Sequence, residues 1–476
     1  MSIQLTISNF KSIRKATLAL RKGLNILVGP NGSGKTCLLS SLHFIRDILR
    51  LGVAQAVARS GGHQRVYRRG SRRIAFEVVH DYGTRLYRNR KTPCILTWSI
   101  QIAQTGPQGI AKVEKESIEI HANTQDGPAK LLSLDAKRTE PNSTRIDVYL
   151  SPPSDCGRDL FSDWRRSRGT SKARLHKAFL GSTTKDIRYF AKSNPDRSLL
   201  PFLAQMDDRA TYLYSQFTLL DEYNIVPDVA RAATEQLPYA SMASDGGSVS
   251  EVIDALMTGQ VHKLVRGNLD DPYAFGYFPR RGPLLYPHQS SWRRYVLESR
   301  PYHRRRPTPS TLREINAQLA SAVRPIQSVS VSIDPTTGKR FVVFKAGKHT
   351  FRPEEVSDGT IKWLCILVSL YVPFCRVYLL EEPENFLHPW MQQRLVHLMR
   401  QQAERAGTVF LLSSHSATMV NVAKPEEILL VRQTARGTQL SQVPNIEQVR
   451  AALDSSHFLL GDLWVSGAIG GVPGDE

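Results

Sequence analysis

The chain has 476 residues and 41% of them are hydrophobic, so it can bury several cores and is too apolar for a disordered protein. It carries 63 Lys and Arg against 43 Asp and Glu, a net charge of +20 that favours polyanionic partners. Residues 311–476 hold 16 basic and 16 acidic side chains, so the whole excess lies in residues 1–310. The five scattered cysteines form no CxxC pair, and no apolar run is long enough to span a bilayer. With no signal-peptide pattern at the start, we expect a cytoplasmic protein without a membrane partner.

Hydrophobic periodicity predicts strands and helices in a recognisable order. Residues 3–7, 16–20 and 24–28 predict strands, and residues 37–49 predict an amphipathic helix. Antiparallel strands are expected at 74–80, 94–102 and 112–122, followed by a polar loop or linker at 124–156. The pattern at 157–268 is helical and basic, and residues 269–310 are predicted to be irregular. Beyond residue 311 the predicted order is helix 312–323, strands 328–333 and 340–344, helix 359–371, strand 377–380, helix 389–405, strand 408–412, helix 416–422 and strand 427–431.

Residues 29–36, GPNGSGKT, match the pattern GxxxxGK[ST] between a predicted strand and a predicted helix. Glycines in such a loop let successive backbone N–H groups turn toward phosphate oxygens, and the helix N-terminus adds a favourable dipole. Lys35 is predicted to reach the β- and γ-phosphates, and Thr36 to offer its hydroxyl to Mg²⁺. The candidate ATP-binding residues are Gly29, Asn31, Gly32, Ser33, Gly34, Lys35, Thr36, Cys37 and Lys11.

Two apolar strands end in polar side chains. The strand at 377–380 runs into Glu381 and Glu382, and adjacent carboxylates at a strand end are costly unless a metal and a water use them. Glu381 is therefore predicted to hold Mg²⁺ together with Thr36, and Glu382 to orient or deprotonate the attacking water as the catalytic base. The strand at 408–412 leads to His415, which is predicted to sense the γ-phosphate, because ligands of α/β sheets sit beyond the carboxyl ends of strands.

A third motif, Ser357-Asp358-Gly359-Thr360, precedes an apolar helix and offers an N-cap and a glycine that lets a phosphate approach. Together GPNGSGKT, VSDGT, LLEEPENFLHP, LLSSHS and the opening ISNFKSI resemble the ABC-type ATPases of the RecF/SMC/OLD-like branch. The resemblance covers residues 1–50 and 311–432, less than half of the chain.

That resemblance implies two heads arranged head to tail, with each ATP held between the phosphate loop of one copy and Ser357, Asp358 and Gly359 of the other. It also implies that 385–388 communicates across the interface and that His415 is a switch histidine. Glu381 stands where many ABC proteins have Asp, and SDG replaces the transporters' SGG. The Q-loop glutamine is not assigned; Gln101, Gln104 and Gln108 are its candidates. The 61 residues after His415 contain no acidic DxD cluster, so we expect no nuclease activity in this chain.

The predicted fold class is α/β, an ABC-type P-loop ATPase head with a mixed sheet, an antiparallel β subdomain and a large, mostly helical basic insertion. We expect an ATPase lobe with the phosphate loop and the antiparallel subdomain at 1–150. The helical basic insertion is expected at 151–310. The signature, acidic and histidine motifs occupy 311–476 together with a C-terminal segment.

The predicted insertion has arginine clusters beside aromatic residues, an arrangement that suits phosphate pairing and base stacking. The nucleic-acid candidates are Arg165, Arg166, Arg293, Arg294, Arg304, Arg305 and Arg306. A solvated basic face or a dock for an acidic protein is the alternative interpretation.

The leading functional hypothesis is a Mg-dependent ATPase whose ATP-driven dimerisation switches a nucleic-acid clamp or a partner effector. The chain resembles the ATPase subunits of prokaryotic antiviral systems of the Septu or PARIS kind, which implies a separate effector such as a nuclease or toxin. Self-association would give a dimer or a higher even-numbered oligomer. A RecF-like DNA repair ATPase and a slowly hydrolysing, ATP-bound scaffold are the alternatives.

Overall fold

A computed structural model describes residues 2–87, 90–105, 109–140, 143–150, 185, 187–204, 208–237, 240–261, 264, 309–372, 377–435, 437–455 and 457–472. The strands are β1 (Ser2–Phe10), β2 (Ile13–Arg21), β3 (Gly23–Val28), β4 (Arg73–Tyr87), β5 (Arg90–Thr105), β6 (Ile110–Thr124), β7 (Gly127–Glu140), β8 (Ser143–Leu150), β9 (Leu220–Tyr223), β10 (Ser328–Ile333), β11 (Arg340–Ala346), β12 (His349–Phe351), β13 (Val377–Glu381), β14 (Val409–Ser414), β15 (Ile428–Thr434) and β16 (Gly437–Gln442). The helices are α1 (Lys35–Leu51), α2 (Val53–Arg59), α3 (His63–Val66), α4 (Leu200–Leu203), α5 (Asp208–Thr218), α6 (Pro227–Arg231), α7 (Val249–Met257), α8 (Pro309–Ala322), α9 (Asp358–Tyr371), α10 (Pro389–Ala406), α11 (Ala417–Val422), α12 (Ile446–Ser455) and α13 (Leu460–Val465), with short 3-10 turns at Pro353–Glu355 and Pro425–Glu427.

The N-terminal region forms a seven-stranded antiparallel sheet in the order β2-β1-β4-β5-β6-β7-β8. The strands predicted at 74–80, 94–102 and 112–122 are confirmed as β4, β5 and β6. The loop predicted at 124–156 is wrong, because β7 and β8 fill most of it. In β7, Leu132, Leu134 and Ala136 alternate toward the core while the polar residues between them face away, so the polar composition concealed a two-residue period.

A six-stranded sheet in the order β16-β15-β3-β14-β13-β9 forms the centre of the head. Strands β15, β3, β14, β13 and β9 run parallel, and only the edge strand β16 is antiparallel. The strand β9 lies inside the range predicted as the helical insertion. Because β9 pairs with β13, the boundaries predicted at 151 and 310 do not separate the insertion from the ATPase sheet.

The two faces of this sheet carry different helices because successive side chains of a strand point to opposite sides. Leu27, Leu379 and Leu411 belong to a core that includes the buried face of α1. The residues one position along, Val28, Leu380 and Leu412, belong to a second core that includes the buried face of α9. The helix after the phosphate motif and the helix after the SDG motif therefore pack on opposite faces of one sheet.

A small sheet of β10, β11 and β12 packs beside α7 and α8 in the second core. The predicted fold class is confirmed: the chain is a mixed α/β protein with a mixed central sheet and an antiparallel β subdomain. Within the described ranges, no helix combines the length and the apolar character needed to cross a membrane.

Candidate functional site

The parallel strands bring three of the predicted motifs to one edge of the central sheet. In the register of these strands, Val28 pairs with Ser414, Ser413 pairs with Glu381, and Leu412 pairs with Leu380. The phosphate loop (Gly29–Thr36), the acidic turn after β13 and the His415 turn therefore leave the sheet side by side. This is the edge at which α/β sheets bind ligands.

The phosphate loop is held against the edge strand β16 and against β15. Gly34 has a φ of +105°, a conformation that favours glycine, and a Cβ there would lie 2.3 Å from Oγ1 of Thr438. A Cβ on Gly29 would lie 2.1 Å from the carbonyl oxygen of Val431. Both positions require glycine for close approach as well as for curvature, so neighbouring strands fix the shape of the loop.

Lys35 and Ser33 place polar atoms inside this loop. The Nζ of Lys35 donates hydrogen bonds to the carbonyl oxygens of Gly29 (2.8 Å) and Pro30 (3.0 Å). Burial lowers the pKa of Lys35, and the nearby Glu382 and Glu384 oppose that shift. Among the described residues, none hydrogen-bonds the buried Oγ of Ser33. A buried hydroxyl without a protein partner in a loop of backbone donors fits a phosphate group.

Thr36 and Glu381 meet as the sequence predicted for a metal site. The Oγ1 of Thr36 donates a hydrogen bond of 2.5 Å to Oε1 of Glu381. A hydroxyl and a carboxylate oxygen at that separation are hard oxygen ligands of the kind that Mg²⁺ takes in nucleotide sites. These two residues fit a magnesium ion. Phosphate oxygens and water would supply the other ligands of its coordination shell.

Glu382 follows Glu381 on a strained turn. Its φ is +43°, in the left-handed region that non-glycine residues seldom adopt. Its carboxylate accepts a hydrogen bond from Nδ2 of Asn385 (3.0 Å) and lies 3.7 Å from Nε2 of His415. The side chain is 41% exposed, so water can reach this carboxylate. Strain that persists in a turn of this kind is typical of a functional position.

His415 lies at the end of β14, as predicted, and its side chain is one-third exposed. Burial lowers its pKa, the positive charge of Lys35 lowers it further, and Glu382 and Glu384 act in the opposite direction. A lowered pKa favours the neutral imidazole at pH 7, which can accept a proton or donate a hydrogen bond.

Glu384, two residues after Glu382 in the acidic motif, contacts the turn that carries His415. It is 8% exposed and accepts hydrogen bonds from Oγ of Ser414 and from the backbone N–H of His415, both at 2.7 Å. Gln392 joins the same region by accepting from Oγ of Ser416 (2.6 Å) and donating to the carbonyl oxygen of Leu387 (2.9 Å). Oε1 of Glu384 thus holds the His415 turn, and its buried Oε2 has no hydrogen-bond partner among the described residues. Water can reach the carboxylate of Glu382, which is 41% exposed.

The signature turn (Ser357–Gly359) begins α9. The Oγ of Ser357 accepts from the backbone N–H of Thr360 (3.3 Å), so the predicted N-cap is confirmed. Ser357 is exposed, and Asp358 is 47% exposed. The first turn of α9 is therefore at the surface, where another molecule can reach it.

The signature helix and the acidic turn also touch within one chain. Lys362 is buried on the apolar α9, donates to the carbonyl oxygen of Glu382 (3.2 Å) and lies 5.7 Å from the ring centroid of Phe386. Phe386 itself is 61% exposed with a φ of +66°. A lysine in a run of apolar helical residues was the sequence signal for this contact.

Gly359 is expected to be intolerant of alanine. A Cβ there would lie 2.4 Å from the carbonyl oxygen of Phe386, and both groups are backbone, so neither can move aside cheaply. We predict that Gly359→Ala lowers the free energy of unfolding by about 1–3 kcal/mol and displaces the 385–388 segment. Chemical denaturation followed by circular dichroism measures the first effect. An unchanged unfolding midpoint would show that the contact is looser than described.

The remaining candidates fall into three groups. Lys11 lies in the turn between β1 and β2, where its backbone N–H donates to the carbonyl oxygen of Val66 (2.9 Å) and its Nζ lies 5.5 Å from the ring centroid of Phe10. Cys37 follows the phosphate loop on α1, and its Sγ accepts a hydrogen bond from Oγ of Ser12 (3.3 Å). Asn31 and Gly32 are exposed at its tip. The arginine candidates Arg165, Arg166, Arg293, Arg294, Arg304, Arg305 and Arg306 lie outside the described residues.

The Q-loop candidates are wrong where they can be placed. Gln101 and Gln104 lie on β5 of the antiparallel sheet, and Gln108 is outside the described residues. Neither Gln101 nor Gln104 lies on the central sheet, where β13 is paired with β9 (Leu220–Tyr223). The sequence did not predict β9, because it has only four residues and lies within the range predicted to be helical.

Two ranges of the sequence match known protein families. Residues 4–175 match a family described as "AAA domain", and residues 261–421 match one described as "AAA domain, putative AbiEii toxin, Type IV TA system".

Curated relatives match over short segments. The chain is 35% identical over 81 residues to the DNA replication and repair protein RecF of Renibacterium salmoninarum, 48% over 42 residues to RecF of Psychromonas ingrahamii, and 52% over 40 residues to RecF of Yersinia enterocolitica. These matches cover 16%, 9% and 8% of this chain and 20%, 12% and 11% of the relatives. The chain therefore spans about a fifth or less of the length of the curated relatives it matches.

Solved structures with a similar outline include an SmcHead bound to the C-winged helix domain of ScpA, at a TM-score of 0.45 and 13% identity, covering 94% of this chain and 98% of that one. The SMC head domain from Thermotoga maritima gives a TM-score of 0.34 at 12% identity, covering 92% and 98%. The chain is therefore similar to AAA-domain families over residues 4–175 and 261–421, and to RecF over short segments.

Proposed function

We propose that this chain is a Mg-dependent ATPase that closes two copies of itself around ATP. The observation that carries the proposal is the placement of α1 and α9 on opposite faces of the central sheet. In each copy the phosphate loop leads into α1 on one face of the sheet, and the signature turn begins α9 on the opposite face. A second copy in head-to-tail arrangement would bring its Ser357, Asp358 and Gly359 over the first copy's triphosphate.

Each residue then has a defined part in hydrolysis. Lys35 and the loop N–H groups bind the β- and γ-phosphates, and Thr36 and Glu381 would hold Mg²⁺, which neutralises phosphate charge when bound. Glu382 accepts the proton of the attacking water, while Asn385 and His415 orient its carboxylate. The exposed Phe386, in the turn after Glu382, and the exposed Trp390 (44%), in the first turn of α10, would be covered by the second copy.

We propose that closure switches a nucleic-acid clamp or a separate effector, as part of an anti-phage defence complex. The excess positive charge of residues 1–310 supports contact with nucleic acid, and the family description that includes a putative toxin supports a partner effector. The RecF segments favour a second candidate, a DNA repair ATPase. A preference for DNA ends or gaps in binding assays would favour repair, and an inhibited nuclease or toxin encoded beside this chain would favour defence.

Two-copy closure is tested by Ser357→Arg, which puts a large charged side chain at the proposed contact. We expect ATP-dependent dimerisation, followed by light scattering, to weaken by about 10-fold or more, the loss typical of a central interface residue. The affinity of the single chain for a fluorescent ATP analogue is expected to stay within about 2-fold, because Ser357 would serve the partner's nucleotide.

Ser466→Arg is the control, since Ser466 is an equally exposed serine near the C-terminal helix. Dimerisation that survives Ser357→Arg, or ATP binding that fails in the isolated variant chain, would contradict the composite site. Turnover measured on the unaltered dimer separates a cycling ATPase from a scaffold that holds ATP.

A further inference from the structure

The segment that follows β9 connects the nucleotide edge of the sheet to the signature turn. β9 lies beside β13, and its last pair, Tyr223 with Leu380, is one residue short of Glu381. Eight residues after Tyr223 the chain reaches Arg231 at the end of α6, which packs against α9. One short piece of chain thus touches both halves of the proposed ATP site.

Tight packing makes this connection stiff. Gly246 sits between Ile225, Ala230 and Cys365 of the signature helix, and a Cβ on it would lie 3.0–3.3 Å from all three. The backbone N–H of Val226 donates to the carbonyl oxygen of Asp245 (2.8 Å), which fixes the same loop. Little space remains for α6 and α9 to move independently.

Arg231 is the polar contact between α6 and the signature turn. Its guanidinium donates through Nε to the carbonyl oxygen of Pro353 and through Nη2 to that of Val356, both at 3.0 Å. Nη2 also lies 2.6 Å from Oδ1 of Asp358, and Nη1 donates to Asp228 (3.1 Å). The Arg231 side chain is only 15% exposed, so its guanidinium is largely shielded from water, whereas its partner Asp358 is 47% exposed.

The pairing with Asp358 has an electrostatic consequence. Asp358 occupies the middle of the signature turn, and its carboxylate would face the phosphates of a bound triphosphate in the two-copy site. Two negative groups at close range repel each other, and more strongly in a partly desolvated site than in water. Arg231 neutralises this carboxylate. An SDG turn can therefore approach a phosphate, whereas an SGG turn has no side-chain charge to neutralise.

We propose that Arg231 is a positioning residue that sets the signature turn and neutralises Asp358, so that the turn can close on the ATP held by a second copy. This inference rests on the two-copy site proposed above. Arg231 acts through Asp358 and the backbone at 353–356 rather than through its own chain's nucleotide.

The test uses Arg231→Met in a Glu382→Gln background, which retains ATP. We expect the affinity of single chains for a fluorescent ATP analogue to stay within about 2-fold, and ATP-dependent dimerisation to weaken by about 10-fold or more. Arg231→Lys keeps the charge but not the planar fork, so it should weaken dimerisation less than Met does. Adding Asp358→Asn to Arg231→Met should recover part of the loss, because it removes the uncompensated charge.

Arg340→Met is the matched control. Arg340 has the same 15% exposure, but it forms its ion pairs with Glu251 and Asp254 on α7 and not with a residue of the signature turn. We expect Arg340→Met to lower thermal stability at least as much as Arg231→Met while dimerisation of the folded protein stays near the parent value.

Three outcomes overturn the role of Arg231: unchanged dimerisation of Arg231→Met, a parallel loss of single-chain ATP binding, or no recovery with Asp358→Asn. If the Glu382→Gln parent itself stayed monomeric with ATP, the two-copy site would be refuted instead. A normal parent with any of those three results refutes only the inference about Arg231.

Discussion

Replacing Glu382 with glutamine is expected to slow ATP hydrolysis by about 100- to 10,000-fold, the usual contribution of a general base. Glutamine keeps the shape of the side chain and can still contact Asn385, but it cannot accept a proton from water. Because ATP binding depends on Lys35 and the phosphate loop, the variant should bind ATP normally and accumulate as a closed dimer. Phosphate release measures the first effect, and light scattering with ATP and Mg²⁺ measures the second.

Glu404→Gln is the control for the loss of one carboxylate, since Glu404 is exposed on α10. It should leave turnover unchanged. A residual rate above about one-tenth of normal in Glu382→Gln would mean that another group accepts the proton. Glu384 would be a poor replacement, because it is only 8% exposed and its Oε1 accepts the two hydrogen bonds that hold the His415 turn.

Lys35→Met should have the second large effect, a loss of ATP affinity of about 10- to 100-fold, because charge-assisted hydrogen bonds to phosphate are worth about 1.5–3 kcal/mol. Methionine retains the apolar stem that is buried in the loop, so the variant should fold. Binding of a fluorescent ATP analogue is the measurement. Dimerisation and turnover should be lost together with binding.

Lys15→Met provides the matched control, since Lys15 is an exposed lysine on β2. It removes the same charge without touching the loop, so its ATP affinity should match that of the unaltered chain. Equal weakening by Lys15→Met and Lys35→Met would indicate that the overall positive charge attracts ATP, and that the loop is not the binding site.

The phosphate loop, Glu381–Glu382, His415 and the signature cap were predicted from the sequence because each is a local pattern beside a strongly periodic strand or helix. Each of these motifs, a strand followed by a turn with a polar residue, lies within about ten residues of sequence. When the strands pair in parallel, their carboxyl ends meet at one edge of the sheet and the motifs come together there. The same reasoning failed for β7, β8 and β9. In β7 and β8 a few apolar residues alternate with many polar ones, and β9 is four residues long. Neither the composition nor the periodicity of these strands therefore distinguished them from a loop or a helix.

The sequence by itself determined that this chain has a phosphate loop and acidic and histidine strand ends, because those motifs are contiguous in the chain. Only the tertiary structure decided that α1 and α9 lie on opposite faces of one sheet, that Glu384 serves the His415 turn, and that Arg231 pairs with Asp358. These relations join residues 30 to more than 120 positions apart, and no local pattern encodes such contacts. They arise from the order in which strands pair and from the side of the sheet on which each connection passes.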